Sequence, residues 1–148
     1  ARAGEGAALA TVVEGQLAAM SALVDAAEAC PARRPEAVRA RLAAAVAALT
    51  EAGAGALDLD RLHQEAMLLA AKADIREEID RLRAHVDAAR DLLAAGGAIG
   101  RRLDFLAQEF GREANTLCAK AGDVSLSRIG LDLKAVVEQY REQVQNIE

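Results

Sequence analysis

The sequence predicts an all-α chain: long antiparallel helices forming an elongated, coiled-coil-like bundle. Three observations carry that expectation. Apolar residues recur every three or four positions along most of the chain, the period that puts them on one face of a helix. Hydrophobic residues are 53% of the 148 positions, yet aromatic residues are only 2%. Ala and Leu therefore supply the core, and strand-favouring rings are scarce. Only two prolines, Pro31 and Pro35, interrupt the chain.

Each element has its own justification. A first helix over about 5–29 carries the stripe Leu9, Val12, Val13, Leu17, Met20, Leu23 and Val24, and Cys30-Pro31 ends it. A second starts after Pro35 and runs to about 51 through Val38, Leu42, Val46 and Leu49. Proline is tolerated in a first turn because that N–H has no helical partner anyway. The Gly/Ala run 52–56 reads as a turn between packed helices.

A third helix is expected over 58–94, with Leu62, Ala66, Leu69, Ala73, Ile79, Leu82, Val86, Ala89 and Leu93 as its stripe. It would be about 50 Å long, too long to pack within one small bundle, which predicts projection or contact with other subunits. Gly96-Gly97 ends it. A fourth helix, 100–120, uses Leu103, Leu106, Phe110, Ala114 and Leu117. After Gly122, either Asp123 or Ser125 caps a fifth helix that reaches about 146. The reading is five helices in a single domain, 1–148.

Composition narrows the function. The net charge of −5 argues against simple polyanion binding, which needs Lys and Arg. It leaves room for an acidic metal site or for basic patches set among acids, such as Arg33, Arg34, Arg39 and Arg41, or Arg101 and Arg102. Cys30 and Cys118 have no metal-ligand or disulfide spacing and read as small hydrophobes in a reducing, cytoplasmic compartment. No run of about 18 uninterrupted apolar residues occurs. Glu5, Glu14 and Gln16 break the Ala-rich start, so neither a membrane-spanning helix nor a signal peptide is expected.

Two polar constellations stand out. Asp74, Glu78, Arg81 and His85 fall at i, i+4, i+7 and i+11, one face of a continuous helix, with Glu77 bordering it. An ordinary charged face with a Glu77–Arg81 pair is the plain alternative. On the fourth helix, Glu109 and Glu113 are an i,i+4 carboxylate pair that can share a divalent ion or pair with Arg101, Arg102 or Arg112. Asp104, Gln108 and Asn115 complete that polar face. An antiparallel turn at Gly96-Gly97 sets His85 level with residue 108, which predicts a composite site. His85 is expected to meet at least one of Asp104, Gln108, Glu109 or Arg112. His63 matches no motif and reads as a surface or interface residue.

These same residues resemble a known family. The segment 100–117, with Asp104, Gln108, Glu109, Arg112, Glu113 and Asn115, is similar to the signature of the YicC-like endoribonucleases. So are 74–86, with Asp74, Glu77, Glu78, Arg81 and His85, and 141–148, with Glu142, Gln145, Asn146 and Glu148. Weaker similarity reaches back to 2–6. Family members carry a further N-terminal half rich in strands, so the chain corresponds to the helical C-terminal half. The sequence departs from the family pattern at Gly111, Cys118, Ala119, Ala121, Ser125 and Arg128.

The resemblance implies a bacterial endoribonuclease that cleaves RNA as a ring-like homohexamer, with a divalent ion, Mn²⁺ or Mg²⁺, assisting. Residue type, helical phase and the family motif together assign the roles. Glu78, His85, Glu109 and Arg112 are the expected catalytic residues. Arg81, Arg101, Arg102, Gln108 and Asn115 are expected to bind substrate. Asp74, Glu77, Glu78, Glu109 and Glu113 are the expected metal ligands. The competing class is a non-catalytic helical module that oligomerises or clamps RNA.

Overall fold

The computed structural model describes residues 2–49 and 59–146. The expected turn at 52–56 and the last two residues of the C-terminal motif lie outside them. Among the described residues the chain is all-α: α1 (Arg2–Ala29), a 3₁₀ turn (Pro31–Arg33), α2 (Pro35–Leu49), α3 (Leu59–Lys72), α4 (Arg76–Ala95), α5 (Gly100–Lys120) and α6 (Val124–Val144).

Four of these helices make a bundle. α1 packs against α4 and α6, and α5 packs against the same two from the other side. Cross-helix contacts fix the directions. Arg90 Nε bonds Glu14 Oε1 at 2.8 Å while Arg83 bonds Asp25 at 2.8 Å, so α1 and α4 run antiparallel. The core follows the expected stripes in Val13, Leu17, Met20 and Val24 of α1, Ile79, Leu82 and Val86 of α4, and Leu103, Phe110 and Leu117 of α5, while Val12 and Leu69 of those stripes are exposed; α6 adds Leu126, Leu133, Tyr140 and Val144. The Tyr140 hydroxyl donates to the Leu103 carbonyl at 2.9 Å, which satisfies a polar atom inside this core. α2 and α3 pack on each other and join the bundle at their root.

Several termini behave as the sequence dictates. Gly96 and Gly97 take φ of 69° and 81°, the left-handed region that L side chains avoid, and they turn the chain from α4 into α5. Asp123 is the N-cap of α6, accepting from the Ser125 backbone N–H at 2.8 Å.

The expected third helix over 58–94 is instead two helices, so the described residues form six α-helices where five were expected. The chain breaks at 73–75. Asp74 Oδ1 accepts the Arg76 N–H at 3.0 Å, a local turn that competes with helix continuation. Ile75 then drops fully into the core. The signal was present: from Ala73 to Ile79 the stripe steps six residues, about 120° out of helical phase. The argument for a projecting helix of about 50 Å lapses with the break, and Asp74 leaves the shared helical face.

Mean hydropathy adds a second correction. Gly6–Ala29, at 1.5, is long and apolar enough to cross a membrane, although Glu14 and Gln16 interrupt its apolar run. Its Val13–Leu17–Met20–Val24 stripe is bundle core, and its Glu14, Asp25 and Glu28 are engaged by arginines of α4.

Candidate functional site

The polar seam between α4 and α5 is the most unusual surface of the bundle. Antiparallel pairing about Gly96-Gly97 brings residues of matched distance from the turn together. His85, Glu109 and Glu113 each offer a ligand atom, and these atoms all lie within 4.8 Å of one another. His85 and Glu109 are half-buried and Glu113 is buried. His85 Nε2 is shielded from solvent and has no hydrogen-bond partner. The Phe110 ring meets the imidazole edge-on at 6.0 Å and meets Tyr140 in turn at 5.2 Å, so aromatic packing through three helices fixes the imidazole plane. Burial pushes the Tyr140 phenol well above its ordinary pKa, and Asp104 adds to that.

Arg81 occupies the next turn. Its Nε donates to Glu113 Oε1 at 2.8 Å, and its two terminal nitrogens stand 3.5 Å from Glu77 and Glu78. The Glu113 bond is the main reason that the Arg81 pKa is raised. Further along, Lys120 Nζ donates to Glu78 Oε1 at 2.7 Å and to the Asp74 carbonyl at 3.2 Å. Glu78 is only 1% exposed, and its second oxygen, Oε2, is buried without a partner.

The expected site residues therefore divide. His85, Glu109 and Glu113 come together, with Arg81 beside them. His85 thus meets Glu109, one of the four partners expected for it. Glu78 is adjacent but locked by Lys120 and Arg81. Glu77 is exposed on the rim, and Asp74 lies before α4, bonded to the Arg76 backbone. Among the described residues, Asp74, Glu77 and Glu78 form no metal-ligating cluster. Gln108, Arg112 and Asn115 point away from this seam, into a groove between α5 and α6. Arg101 and Arg102 lie at the other end of α5, beside the exposed Phe105. His63 is exposed.

Sequence reasoning missed Lys134 and Arg141 of α6, which line the groove with Arg112. They are seven residues apart, two turns on one face, and that spacing is the signal that identifies them. It also missed Lys120, whose single positive charge in the last turn of α5 neutralises a buried carboxylate.

An ordinary packing seam buries aliphatic residues. This one buries two carboxylates and orients an imidazole with an unpartnered nitrogen, a combination typical of functional clefts. Comparison with known proteins agrees with the site's sequence motifs. Residues 27–148 match the model for the endoribonuclease YicC-like C-terminal family. The chain is 47% identical over 92 residues to a protein of Haemophilus influenzae named "Probable endoribonuclease YicC", and 39% identical over 92 residues to one of the same name from Clostridioides difficile. Each match covers 62% of this chain but only 32% and 31% of those proteins, so the matched part spans about a third of their length. With most of its residues inside the family model, the chain belongs to the YicC-like endoribonuclease family through its C-terminal domain.

Proposed function

We propose that this domain carries the RNA-cleaving cleft of an endoribonuclease, centred on His85, Glu109 and Glu113 with Arg81 beside them. The observation that supports it is the convergence of one imidazole and two carboxylates within 4.8 Å on a half-open seam. Phosphodiester cleavage needs a proton taken from the attacking oxygen, charge stabilisation at phosphorus, and a proton given to the leaving oxygen. In a metal-free route the unpartnered His85 Nε2 moves the proton. Arg81 is half-exposed and held by Glu113 through Nε, and its terminal nitrogens make only long, 3.5 Å contacts to Glu77 and Glu78, which a phosphate can replace.

The donor set fits a divalent ion. Mn²⁺ or Mg²⁺ accepts carboxylate oxygens, and Mn²⁺ accepts an imidazole nitrogen as well. In the metal-assisted route His85 would instead join Glu109 and Glu113 in holding the ion, which when bound would acidify water and offset phosphate charge. Glu78 takes a different role from the one its sequence position suggests. It is a positioning residue that orients Arg81 and Lys120. Gln108, Arg112 and Asn115 serve RNA contact from the α5–α6 groove, and Arg101 and Arg102 from the start of α5. The proposal extends, on family grounds, to a cytoplasmic homohexamer.

A non-catalytic assembly module is the second reading. Its specific support is the row Met67, Leu68 and Leu69, large side chains exposed on α3, which suit contact with another chain more than cleavage.

The test is cleavage of structured RNA by this chain and by a whole YicC-like protein containing it, with Mn²⁺, with Mg²⁺ and with chelator. Glu109→Gln and His85→Asn should fold normally and lose cleavage by at least a hundredfold. Full cleavage by both variants would overturn the catalytic reading in favour of the assembly module. Unchanged cleavage with excess chelator would remove only the metal. Sedimentation of the whole protein tests the hexamer.

A further inference from the structure

The root of the α2–α3 hairpin encloses a cavity of about 310 Å³ whose charge is opposite to that of the chain as a whole. Four cations from four separate elements line it: Arg33 of the 3₁₀ turn, Arg41 of α2, Arg76 at the start of α4 and Lys120 at the end of α5. Two carboxylates, Asp74 and Asp123, also reach it, and Glu78 takes up the charge of Lys120, which leaves one positive charge in excess.

Both carboxylates are already committed. Asp74 Oδ1 accepts the Arg76 backbone N–H at 3.0 Å and stands 3.9 Å from Arg33. Asp123 accepts the Ser125 backbone N–H at 2.8 Å and the Ser125 hydroxyl as well. Arg33 donates to the Glu28 carbonyl at 2.9 Å, and the other three cations are less occupied. Lys120 uses two of its three N–H groups, on Glu78 and on the Asp74 carbonyl. Among the described residues, the guanidinium groups of Arg41 and Arg76 have no hydrogen-bond partner. Arg41 reaches across the chain at Gly122, with Nη2 3.7 Å from where a Cβ would stand. Val38 and Leu126 give the cavity an apolar wall.

Guanidinium groups arranged around one space, with donors unused, suit a phosphate, whose oxygens accept the planar fork. The volume is near the roughly 300 Å³ lower bound for small-ligand pockets, room for one nucleotide unit but not for a folded strand. The unused donors of Arg41, Arg76 and Lys120 suit the three terminal oxygens of a phosphomonoester better than the two free oxygens of a diester. The pocket is also separate from the cleft. Lys120 is eleven residues along α5 from Glu109, about 16 Å.

We propose that this cavity binds a phosphomonoester dianion, either the terminal phosphate of an RNA strand or that of a free mononucleotide. The RNA source rests on the endoribonuclease reading; the mononucleotide source does not. Lys120 is shared between this pocket and the Glu78–Arg81 network, so occupancy would be felt at the cleft.

Calorimetric titration of the 148-residue chain, with chelator present, tests the proposal without using cleavage. The probes are adenosine 5′-monophosphate, adenosine, and matched short RNA oligomers with a 5′-phosphate, a 3′-phosphate or hydroxyls at both ends. The expected result is at least tenfold tighter binding of a phosphorylated probe than of its hydroxyl counterpart. Arg41→Gln and Arg76→Gln should each reduce that binding about tenfold while leaving the melting temperature unchanged. Binding of the mononucleotide identifies a free nucleotide as sufficient; binding of a phosphorylated oligomer alone identifies the strand end. Equal affinity with and without the phosphate, indifference to both substitutions, or no binding at millimolar concentration would each overturn the proposal. Loss of cleavage in Glu109→Gln leaves it untouched, so the two readings fail separately.

Discussion

Arg81 donates from Nε to Glu113 Oε1 at 2.8 Å across the α4–α5 seam, joining the two helices that carry the candidate cleft. Its terminal nitrogens simultaneously stand 3.5 Å from Glu77 and Glu78. One planar group thus sets the orientation of two buried carboxylates, and a flexible point charge cannot do the same. Glu113 is fixed by this bond, while Glu109, a turn nearer the Gly96-Gly97 connection, makes no ion pair among the described residues. The seam therefore combines a held carboxylate with a free one.

Arg81→Lys should accordingly impair function more than folding. Its ammonium can hold Glu113 or Glu78, but not both with Glu77. Cleavage by a whole YicC-like protein carrying the change should fall roughly 10–100-fold, the usual cost of losing an orienting partner. The melting temperature should move little, because Arg81 is half-exposed. Wild-type cleavage in this variant would show that the fork does not orient the cleft.

Lys120→Ala should act in the opposite sense, on folding first. Glu78 is 1% exposed, and Lys120 provides its 2.7 Å hydrogen bond. Removing it leaves Arg81, at 3.5 Å, as the remaining charge partner for a carboxylate whose other oxygen already lacks one. The expected loss is about 2 kcal/mol in urea denaturation. Glu78→Gln in the same background should recover part of it by removing the stranded charge. A Lys120→Ala protein as stable as the wild type would show that the Glu78 charge is solvated by other means.

Much of this fold was legible in the sequence, and the reasons are specific. The glycine pair, the proline pair and the Asp123 cap act locally, so sequence alone locates them. The meeting of His85 with Glu109 follows from counting outward from one short turn. The break at 73–75 was missed because a local turn by Asp74 and the burial of Ile75 outweigh helix propensity there. The division of the fourth helix's polar face was missed for another reason. Periodicity places Glu109, Arg112 and Glu113 near one another on a helix. Only the positions of α4 and α6 decide that Glu113 faces Arg81 while Arg112 faces Lys134 and Arg141. Partner choice across helices is tertiary information, and it is what separates the cleft from the α5–α6 groove.

The acid limb of stability should depend on Asp123. Hydrogen bonds from the Ser125 hydroxyl and backbone, with Arg41 nearby, hold its carboxyl below the ordinary value. A folded pKa lower than the unfolded one means that the unfolded chain binds the proton more readily. The stabilisation is thus complete above the ordinary Asp range near pH 4 and is lost as pH falls through the lower folded value. Thermal melts of Asp123→Ala and wild type should differ most at pH 6, and the gap should narrow progressively as pH falls below about 4. A constant gap down to pH 3 would assign the cap's effect to its uncharged hydrogen bonding alone.

Two glycines should respond to alanine in opposite directions. Gly130 is buried where α6 crosses α5, and a Cβ there would stand 2.6 Å from Cys118 Sγ and 3.2 Å from Leu117 Cδ2. Real Cβ contacts are essentially never as short as 2.6 Å, so Gly130→Ala must displace Cys118 or separate the helices, at a cost of about 1–3 kcal/mol. Gly111, inside α5, has nothing within 4 Å of its would-be Cβ. Gly111→Ala should therefore stabilise the helix by about 1 kcal/mol, the propensity difference. Cys118→Ala removes the sulfur that makes the first clash. The Gly130→Ala/Cys118→Ala double variant should recover most of the loss, giving a coupling of at least about 1 kcal/mol in a double-mutant cycle. Additive effects of the two changes would mean that backbone approach, not the thiol, requires glycine at this crossing.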